Sequence, residues 1–205
     1  MNDLWSDVRD FNLACGVRLR ENPGWVSEDE VALAVRLVGE ERDELLFALA
    51  TRNLVEAADA IADSLYVRAG LLLRLGLART YIHDFLPKST EQATWDTFDA
   101  TNIMTEIGDD LEESDARIGK AIADRNLLEV DAAVHQTMFQ LTSVATLLHL
   151  PMDRVWAEVQ RSNMAKLVDG KVVRRPEDGK ILKPAGWTPP DIAGVLGLDA
   201  VEDAA

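Results

Sequence analysis

The sequence predicts an all-α fold: a helical bundle of two pseudo-repeated units, arranged like a homodimer fused into one chain (a fused pseudo-dimer), with a short β-hairpin and an extended arm at the C-terminal end. Three observations favour this fold. Apolar residues recur at helical spacing through the first 165 residues. Residues 48–77 align without gaps to residues 121–150. Beyond Leu167, short β-prone runs and prolines replace the helical spacing.

The first unit begins with two predicted helices. A short helix over about residues 3–15 ends before the chain is broken at Pro23 and Gly24. Ser27, followed three residues later by Glu30, forms a capping box that begins the second helix. The apolar spacing carries this helix to about residue 51.

A tight turn at Arg52 and Asn53 leads into a third helix over about residues 54–76, for which Gly76 is a natural end. Pro87 closes the unit. Because the connecting turn is so short, the second and third helices are expected to be antiparallel neighbours.

The second unit repeats the first, with nine identities in the thirty aligned positions. Helical segments share Ala and Leu by chance, so unrelated helices of similar composition are the alternative explanation. The run Arg-Asn-Leu-x-Glu, at the same point of the turn in both units, favours an internal duplication. The identical pairs are Ala48 and Ala121, Ala50 and Ala123, Arg52 and Arg125, Asn53 and Asn126, Leu54 and Leu127, Glu56 and Glu129, Ala60 and Ala133, Leu75 and Leu148, and Leu77 and Leu150.

The end of the chain is predicted to leave the bundle. Val172–Val173 and Ile181–Leu182 are β-prone runs separated by Pro-Glu-Asp-Gly, which is typical of a hairpin. Pro189 and Pro190 forbid helix at their positions, so the following segment is predicted to be an extended arm. The resulting division, within one compact domain, is a first helical unit over residues 1–90, a second over residues 91–165 and a basic hairpin and arm over residues 166–205.

Charge limits the classes of partner. The formal net charge of −15 argues against binding to a nucleic-acid backbone, so no nucleic-acid partner is expected. A nucleotide is still compatible with that charge, because a divalent cation bridges an acidic protein to a polyphosphate. Residues 163–190 are net positive, which fits either a basic arm that grips a small anion or a solvated tail.

The chain carries no pattern that predicts a membrane or secreted protein. No apolar run approaches the roughly 20 residues that span a bilayer, and the acidic N-terminus lacks the features of a signal peptide. The single cysteine, Cys15, fits a reducing compartment. A cytoplasmic location and no membrane partner are therefore expected.

Five carboxylates lie on helical stripes that are otherwise apolar. Glu41 and Glu44 share one face of the second helix, and Glu56, Asp59 and Asp63 share one face of the third. Antiparallel packing would let the two faces meet. Two carboxylates about 4 Å apart repel by roughly 4 kcal/mol at an effective dielectric constant near 20, so a cation or protons must neutralise them. Oxygen ligands without Cys or His suit Mg²⁺, or Mn²⁺ as a substitute.

The alternative explanation is a solvated charged face with ion pairs along each helix. This explanation suits Glu40, Arg42 and Asp43. It suits Asp59 and Asp63 less well, because the surrounding segment Ala-Ala-Asp-Ala-Ile-Ala-Asp-Ser-Leu-Tyr-Val is apolar nearly all round apart from these acids. The stripes therefore favour a metal site.

The acidic motif carries a resemblance to a known family. Glu-Glu-x-x-Glu at residues 40–44, followed by Glu-x-x-Asp at residues 56–59, resembles the MazG-like, all-α nucleoside triphosphate pyrophosphohydrolases, which include the dimeric dUTPases and phosphoribosyl-ATP pyrophosphohydrolase. The Ser-Asn-Met ending of a helix before a Lys-rich hairpin, at residues 162–164, is similar to the close of the compact branch of that family. Val-Arg-Asp-Phe-Asn-Leu-Ala-Cys-Gly, at residues 8–16, resembles its opening helix.

This resemblance implies Mg²⁺-dependent cleavage of a nucleoside or deoxynucleoside triphosphate between its α and β phosphates, giving the monophosphate and pyrophosphate. It implies Glu40 as the candidate base or a supporting ligand, beside Glu41 as a second catalytic carboxylate, with Asp63 as a further or supporting metal ligand. The metal ligands carried over by position are Glu41, Glu44, Glu56 and Asp59.

The resemblance also implies a substrate site. Asn163, Lys166 and Lys171 would contact the nucleotide or its phosphates. Tyr66 and the first helix would shape the pocket for the base, whose identity stays open between dUTP, dCTP and a purine dNTP.

The chain departs from the family in its length and in its second unit, where the acids have been replaced. Only Glu129, opposite Glu56, survives there, so one active site per chain is expected, between the first unit's acids and the second unit's arm. The core is expected to end before Asn163. The replaced acids align as Glu41 with Ser114, Glu44 with Arg117, Asp59 with Ala132 and Asp63 with Gln136.

Two questions stay open from the sequence. A catalytically inactive helical module that binds a nucleotide or a protein is the alternative to an enzyme, although the intact acidic motif of the first unit counts against it. Pairing of two such chains into a homodimer of fused pseudo-dimers is compatible with the pattern, because fused dimers can still associate.

Overall fold

The computed structural model describes residues 3–77, 86–96, 102–175 and 181–198, with residues 102–105 described by their backbone alone. The predicted all-α class is confirmed, with a two-stranded antiparallel hairpin near the C-terminal end. The elements are α1 (Leu4–Ala14), α2 (Glu28–Ala50), α3 (Leu54–Leu75), α4 (Asn102–Ala123), α5 (Leu127–Leu147), α6 (Met152–Met164), β1 (Leu167–Val168), β2 (Lys171–Val172) and α7 (Ile192–Leu196).

Local capping chemistry sets the ends of the helices that later carry the acids. The backbone N–H of Glu30 donates to Ser27 Oγ, and the Ser27 N–H donates back to Glu30, so the predicted capping box begins α2. The Asn53 side chain accepts from the first turn of α3. Gly76 ends α3 in the left-handed conformation, with φ of 66°, which glycine adopts without strain.

The duplication is visible in the backbone of the turns, residue by residue. Arg52 and its repeat-equivalent Arg125 both have positive φ, at 53° and 52°. The N–H of Asn53 donates to Ala48 O at 3.0 Å, and the corresponding bond of Asn126 measures 2.9 Å. Each asparagine then caps the helix that follows. The two helix–turn–helix units therefore share their turn chemistry as well as their sequence.

The two units pack together as a pseudo-dimer. Helices α2 and α3 contact each other, as do α4 and α5, and the units meet through α3 with α5 and α2 with α4. Arg42 and Asp115 occupy equivalent positions of the repeat and lie 3.7 Å apart. A residue that contacts its own equivalent lies near a two-fold axis. The fully buried Arg68 adds a 2.6 Å bond to the same Asp115 carboxylate.

One hydrophobic cluster includes residues from all seven helices, and the C-terminal arm belongs to it. Ile192 and Leu196 of α7 are 2% and 5% exposed. The expectation that the core ends before Asn163 was therefore wrong. The arm is extended through Pro189 and Pro190 as predicted, but α7 follows directly, because the Asp191 side chain accepts from the Gly194 N–H and caps a helix.

The hairpin differs in part from its prediction. Strands β1 and β2 pair around Asp169 and Gly170, whose φ values of 52° and 75° fit the Asp-Gly turn of a tight hairpin. The predicted pairing further along is also present, as a bridge between Arg174 and Ile181 and a 2.8 Å bond between the Leu182 N–H and Val173 O. The predicted Pro-Glu-Asp-Gly turn lies outside the described residues.

A helix that spans a bilayer needs about 20 predominantly apolar residues. In the described part of the chain, none of the helices is both long enough and apolar enough to cross a bilayer.

Candidate active site

The predicted acidic stripes face each other across the α2–α3 pair. Glu41 and Glu44 lie on α2, and Glu56, Asp59 and Asp63 on α3. The tight, Asn-capped turn makes these helices antiparallel, so their acidic faces oppose one another. Glu41, Asp59 and Asp63 are half-buried, whereas Glu44 and Glu56 at the open end of the groove are exposed.

Burial and mutual repulsion raise the pKa of the three inner carboxyl groups. The pKa of Glu41 rises to about 8, first because of burial and then because of the charges of Asp63, Glu44 and other nearby acids. Burial raises the pKa of Asp63 to about 7, with a further contribution from Asp59. These shifts place the acids of both helices in one electrostatically coupled group.

The pKa of Asp59 rises to about 6, again first through burial, with Glu56 and Glu44 adding to the rise. The charge of Lys166 opposes the shifts of both Asp59 and Asp63. Asp59 and Asp63 therefore both interact with Glu44 of α2 and with Lys166 beyond the end of α6.

Two oxygen atoms in the groove fit a cation. Among the described residues, neither Glu41 Oε2 nor Asp59 Oδ1 has a hydrogen-bond partner, although both atoms are buried. An unpaired buried carboxylate oxygen is costly, and hard cations such as Mg²⁺ prefer oxygen ligands. Within that same part of the chain, no three His, Cys, Asp or Glu side chains form a ready-made metal-ligand group. The donor chemistry therefore fits a cation, while coordination requires the side chains to gather from their present rotamers.

Glu40 lies outside this groove in its present conformation. Its carboxylate is exposed and lies 3.7 Å from Arg36, one helical turn earlier on α2. Its charge nonetheless contributes to the raised pKa of Glu41. A catalytic role for Glu40 requires a different side-chain rotamer from the one seen.

In the second unit, a side-chain cation occupies the position equivalent to one of the acids of the first unit. Arg117 stands where the first unit has Glu44. Its guanidinium pairs with Glu129, the equivalent of Glu56, and donates at 2.5 Å to Gln136, the equivalent of Asp63. One positive group thus contacts both equivalents. In the first unit the corresponding positions are all acidic.

The arm brings two of the predicted substrate residues to the acids. Lys166 Nζ donates to Asn163 Oδ1 at 2.7 Å at the end of α6. Burial lowers the pKa of Lys166, and the charge of Asp63 opposes that effect. Lys171 is placed differently: it is exposed on β2, and no hydrogen bond or ion pair joins it to the described acids.

Tyr66 lies deeper than a base-recognition residue was expected to lie. Its hydroxyl donates to Gln160 Oε1 at 2.9 Å, and its ring stacks on Trp156 at 5.3 Å between centroids. Burial raises the pKa of this hydroxyl, and a hydrogen bond with Asn163 opposes the rise. Tyr66 therefore acts on the site through its hydrogen bond with Asn163.

Sequence reasoning missed three residues around the site. Asp7 of α1 is buried and accepts from Trp156 Nε1 at 2.9 Å, which ties α1 to α6. Trp187 and Lys183 of the arm lie beside Lys166. The net-positive pattern of residues 163–190 includes Lys183 but does not assign it to the site. No local pattern marked Asp7 or Trp187, because their contacts join segments far apart in the chain.

The raised pKa values predict how the metal-free protein responds to pH. In the folded chain Glu41, Asp59 and Asp63 keep protons at pH values where the unfolded chain has lost them, so their contribution to the free energy of unfolding falls as pH rises from about 4 to about 8. We expect the melting temperature without metal to be lower at pH 8.5 than at pH 5.5, by at least about 3 °C, which corresponds to about 1 kcal/mol in a chain of this size. Calorimetry at the two pH values measures the difference.

The control is Glu41→Gln, which removes the group with the highest of these pKa values. This variant should show a smaller difference between the two pH values than the wild-type chain. A wild-type melting temperature that rises between pH 5.5 and pH 8.5 would contradict the assignment of these groups as buried, mutually repelling acids.

Part of the chain is similar to known proteins. The sequence profile of the phosphoribosyl-ATP pyrophosphohydrolase family matches residues 8–90, about two fifths of the chain, a range that holds both acidic stripes. The uncharacterized protein L479 of Acanthamoeba polyphaga mimivirus is 28% identical over 159 residues, covering 72% of this chain. The chain aligns with 61% of the length of that relative. No solved structure matches.

The matched profile lies within the MazG-like, all-α nucleoside triphosphate pyrophosphohydrolase superfamily. The match begins inside α1 and continues past α3, so it includes the turn that sets the acids opposite one another. Over residues 8–90 the chain is therefore similar to pyrophosphohydrolases that act on nucleotide-like substrates.

Proposed function

We propose that the chain is a Mg²⁺-dependent nucleoside triphosphate pyrophosphohydrolase of the compact MazG-like type, with one active site per chain. It would cleave a nucleoside or deoxynucleoside triphosphate between the α and β phosphates, releasing the monophosphate and pyrophosphate. The observation that carries the proposal is that buried oxygens of Glu41 and Asp59, from two facing acidic stripes, have no hydrogen-bond partner among the described residues. Both stripes lie within the region matched by the pyrophosphohydrolase profile.

The acids would bind the cation and accept a proton from the attacking water. Mg²⁺, or Mn²⁺ in its place, supplies charge neutralisation of the phosphates and a lowered pKa of a bound water. Glu40, after a change of rotamer, would accept a proton from the water that attacks the α–β anhydride and releases pyrophosphate, with Glu41 beside it. Asp63, the most deeply placed of these acids along α3, would support the ligands. The ligands would be Glu41, Glu44, Glu56 and Asp59.

The arm of the second unit would hold the substrate. Asn163 and Lys166 lie beside the acids and would bind phosphate oxygens by charge-assisted hydrogen bonds. Lys171 would reach the phosphates only from the exposed surface of the hairpin. Tyr66 would shape the pocket indirectly, through its contacts with Gln160 and Asn163.

The test is pyrophosphate release by the full chain with Mg²⁺ across a panel of dUTP, dCTP, purine dNTPs and phosphoribosyl-ATP. The repeat offers a matched pair of variants. Glu56→Ala removes a proposed ligand and should abolish turnover, whereas Glu129→Ala removes the equivalent carboxylate of the second unit and should leave turnover within about twofold, because an exposed ion pair contributes little. Release from none of the substrates would overturn the enzyme proposal in favour of an inactive helical module that binds a nucleotide or a protein.

A further inference from the structure

We propose that Lys183 is a second phosphate-binding cation of this site, which acts together with Lys166 on one polyphosphate. The inference rests on the proposed function and adds a residue that the acidic motif and the Ser-Asn-Met ending do not include. It is carried by one tryptophan ring of the arm, whose centroid lies within 6.0 Å of both ammonium groups, and by the electrostatic interaction of Lys166 with Asp63 and Asp59.

Both lysines lie around the ring of Trp187. Lys183 Nζ is 4.0 Å from the ring centroid, and Lys166 Nζ is 6.0 Å from the same centroid. Lys166 is in turn held by Asn163 and lies within electrostatic range of Asp63 and Asp59. The ring therefore connects Lys183, through Lys166, to Asp63 and Asp59.

The position of Trp187 is fixed by the structure of the arm. Its Nε1–H donates to Ser162 O at 2.9 Å, and its backbone N–H donates to Pro184 O at 3.0 Å. Ser162 Oγ donates to Thr188 O at 3.1 Å, which adds a second bond between α6 and the arm. Lys183 is thus presented by an anchored segment, in contrast to a lysine on a solvated tail.

The charges around the pair favour an anion as its occupant. The positive charge of Lys183 lowers the pKa of the partly buried Lys166, so the two ammonium groups repel each other. Asp59 and Asp63 now partly balance Lys166, but a cation bound among the acids would take up that negative charge. The two lysines would then be left for an anion, and several phosphate oxygens can accept from both.

A phosphate can replace the Trp187 ring as the partner of the Lys183 ammonium group. Lys183 is exposed, and a cation–π contact at an exposed site is weaker than a charge-assisted hydrogen bond to phosphate. The ring thus holds the lysine in place before the substrate arrives. The four-carbon chain allows the ammonium group to leave the ring face without movement of the anchored backbone.

The experiment compares Lys183→Ala and Lys183→Arg with Lys120→Ala, which removes an exposed lysine whose ion pair is with Asp124, away from this arm. Calorimetric titration of the full chain with Mg²⁺ uses three probes: inorganic pyrophosphate, a nucleoside monophosphate and a nonhydrolysable α,β-methylene triphosphate. We expect Lys183→Ala to weaken binding of the triphosphate probe by about 10-fold and to raise KM similarly, with an unchanged melting temperature. Lys183→Arg should retain most of the affinity, and Lys120→Ala should match the wild-type chain.

The probes also distinguish the two ends of the substrate. Weakened binding of pyrophosphate assigns Lys183 to the leaving group, and weakened binding of the monophosphate assigns it to the nucleotide product; either result supports the proposal. Unchanged affinity of Lys183→Ala for all three probes overturns it. If the wild-type chain hydrolyses a nucleotide while Lys183→Ala is unaffected, the proposed function stands and this inference fails. If pyrophosphate binding depends on Lys183 but no nucleotide is hydrolysed, the phosphate site stands without the enzymatic function.

Discussion

Asp59→Asn should lower the rate of triphosphate hydrolysis by at least about 100-fold while raising the melting temperature of the metal-free chain at pH 8. The loss of activity follows from the removal of a proposed metal ligand, since the ion supplies both charge neutralisation and an activated water. The gain in stability follows because Asp59 is half-buried and has a buried oxygen without a described partner. The pKa of this group is raised to about 6, so it is ionised at pH 8 among other acids, and the neutral amide removes that repulsion.

Three measurements check this expectation: kcat with the best substrate, Mg²⁺ binding by calorimetric titration, and the melting temperature with and without Mg²⁺. The wild-type chain should be stabilised by Mg²⁺, because ligands that bind only the folded state raise its stability. Asp59→Asn should lose most of that stabilisation. Ala132→Asn, the matched change at the equivalent exposed position of the second unit, should alter none of the three quantities.

A variant that keeps wild-type Mg²⁺ binding would remove Asp59 from the proposed ligand set. A variant that loses activity and stability together would point instead to a structural role for this acid. Opposite changes in activity and stability would identify Asp59 as a functional carboxylate that destabilises the fold. Parallel changes would identify it as a carboxylate that the fold requires.

The parts of this fold that the sequence predicted are those set by neighbours along the chain. Helical spacing placed Glu41 and Asp59 on facing stripes, and the capping box at Ser27 and the tight turn at Asn53 marked the helix starts that the structure contains. The ungapped repeat predicted two units with the same turn, and the turn at Arg125 reproduces the one at Arg52 in its backbone angles. Each of these features depends on residues within a few positions of one another.

The parts that the sequence did not reveal depend on contacts between distant segments. Trp187 bonds to Ser162, and the carbonyl of Leu196 accepts from Gln92, more than a hundred residues earlier. Tyr66 is buried because Trp156 and Phe11 cover it from two other helices. Helical periodicity reports which face of a helix is covered, but it does not report what covers it.

The structure of the second unit adds to what the alignment showed, which was only that most of its acids are replaced. The alignment showed that Arg117 replaces Glu44. The structure shows that this arginine donates to both Glu129 and Gln136, so a positively charged side chain now stands where the first unit has an acid. The guanidinium supplies at this position a positive charge that belongs to the chain itself. The same geometry, with acids at every equivalent position, favours a bound cation in the first unit.

Ending the chain after Pro190 should destabilise the whole bundle, contrary to what the sequence indicated for the arm. The deletion removes α7, whose Ile192 and Leu196 are buried in the common core. Burying two such side chains contributes about 3–6 kcal/mol. In a chain of this size that corresponds to a fall in melting temperature of roughly 6–24 °C, measured by differential scanning calorimetry.

Lys166→Ala provides the contrast, because it lies at the site but contributes little to the core. We expect this variant to melt within a few degrees of the wild-type chain and to lose at least about 10-fold in kcat/KM through a missing charge-assisted bond to phosphate. A shortened chain that melts with the full-length protein would show that α7 only rests on the bundle. The expected pattern, in which the deletion lowers stability and the lysine variant lowers activity alone, follows from an arm that is anchored by apolar residues at its far end and contacts the substrate near α6. Under the proposed function, the second unit would keep its place in the protein although most of its equivalent acids are replaced, because the arm that it carries would complete the site formed by the first unit.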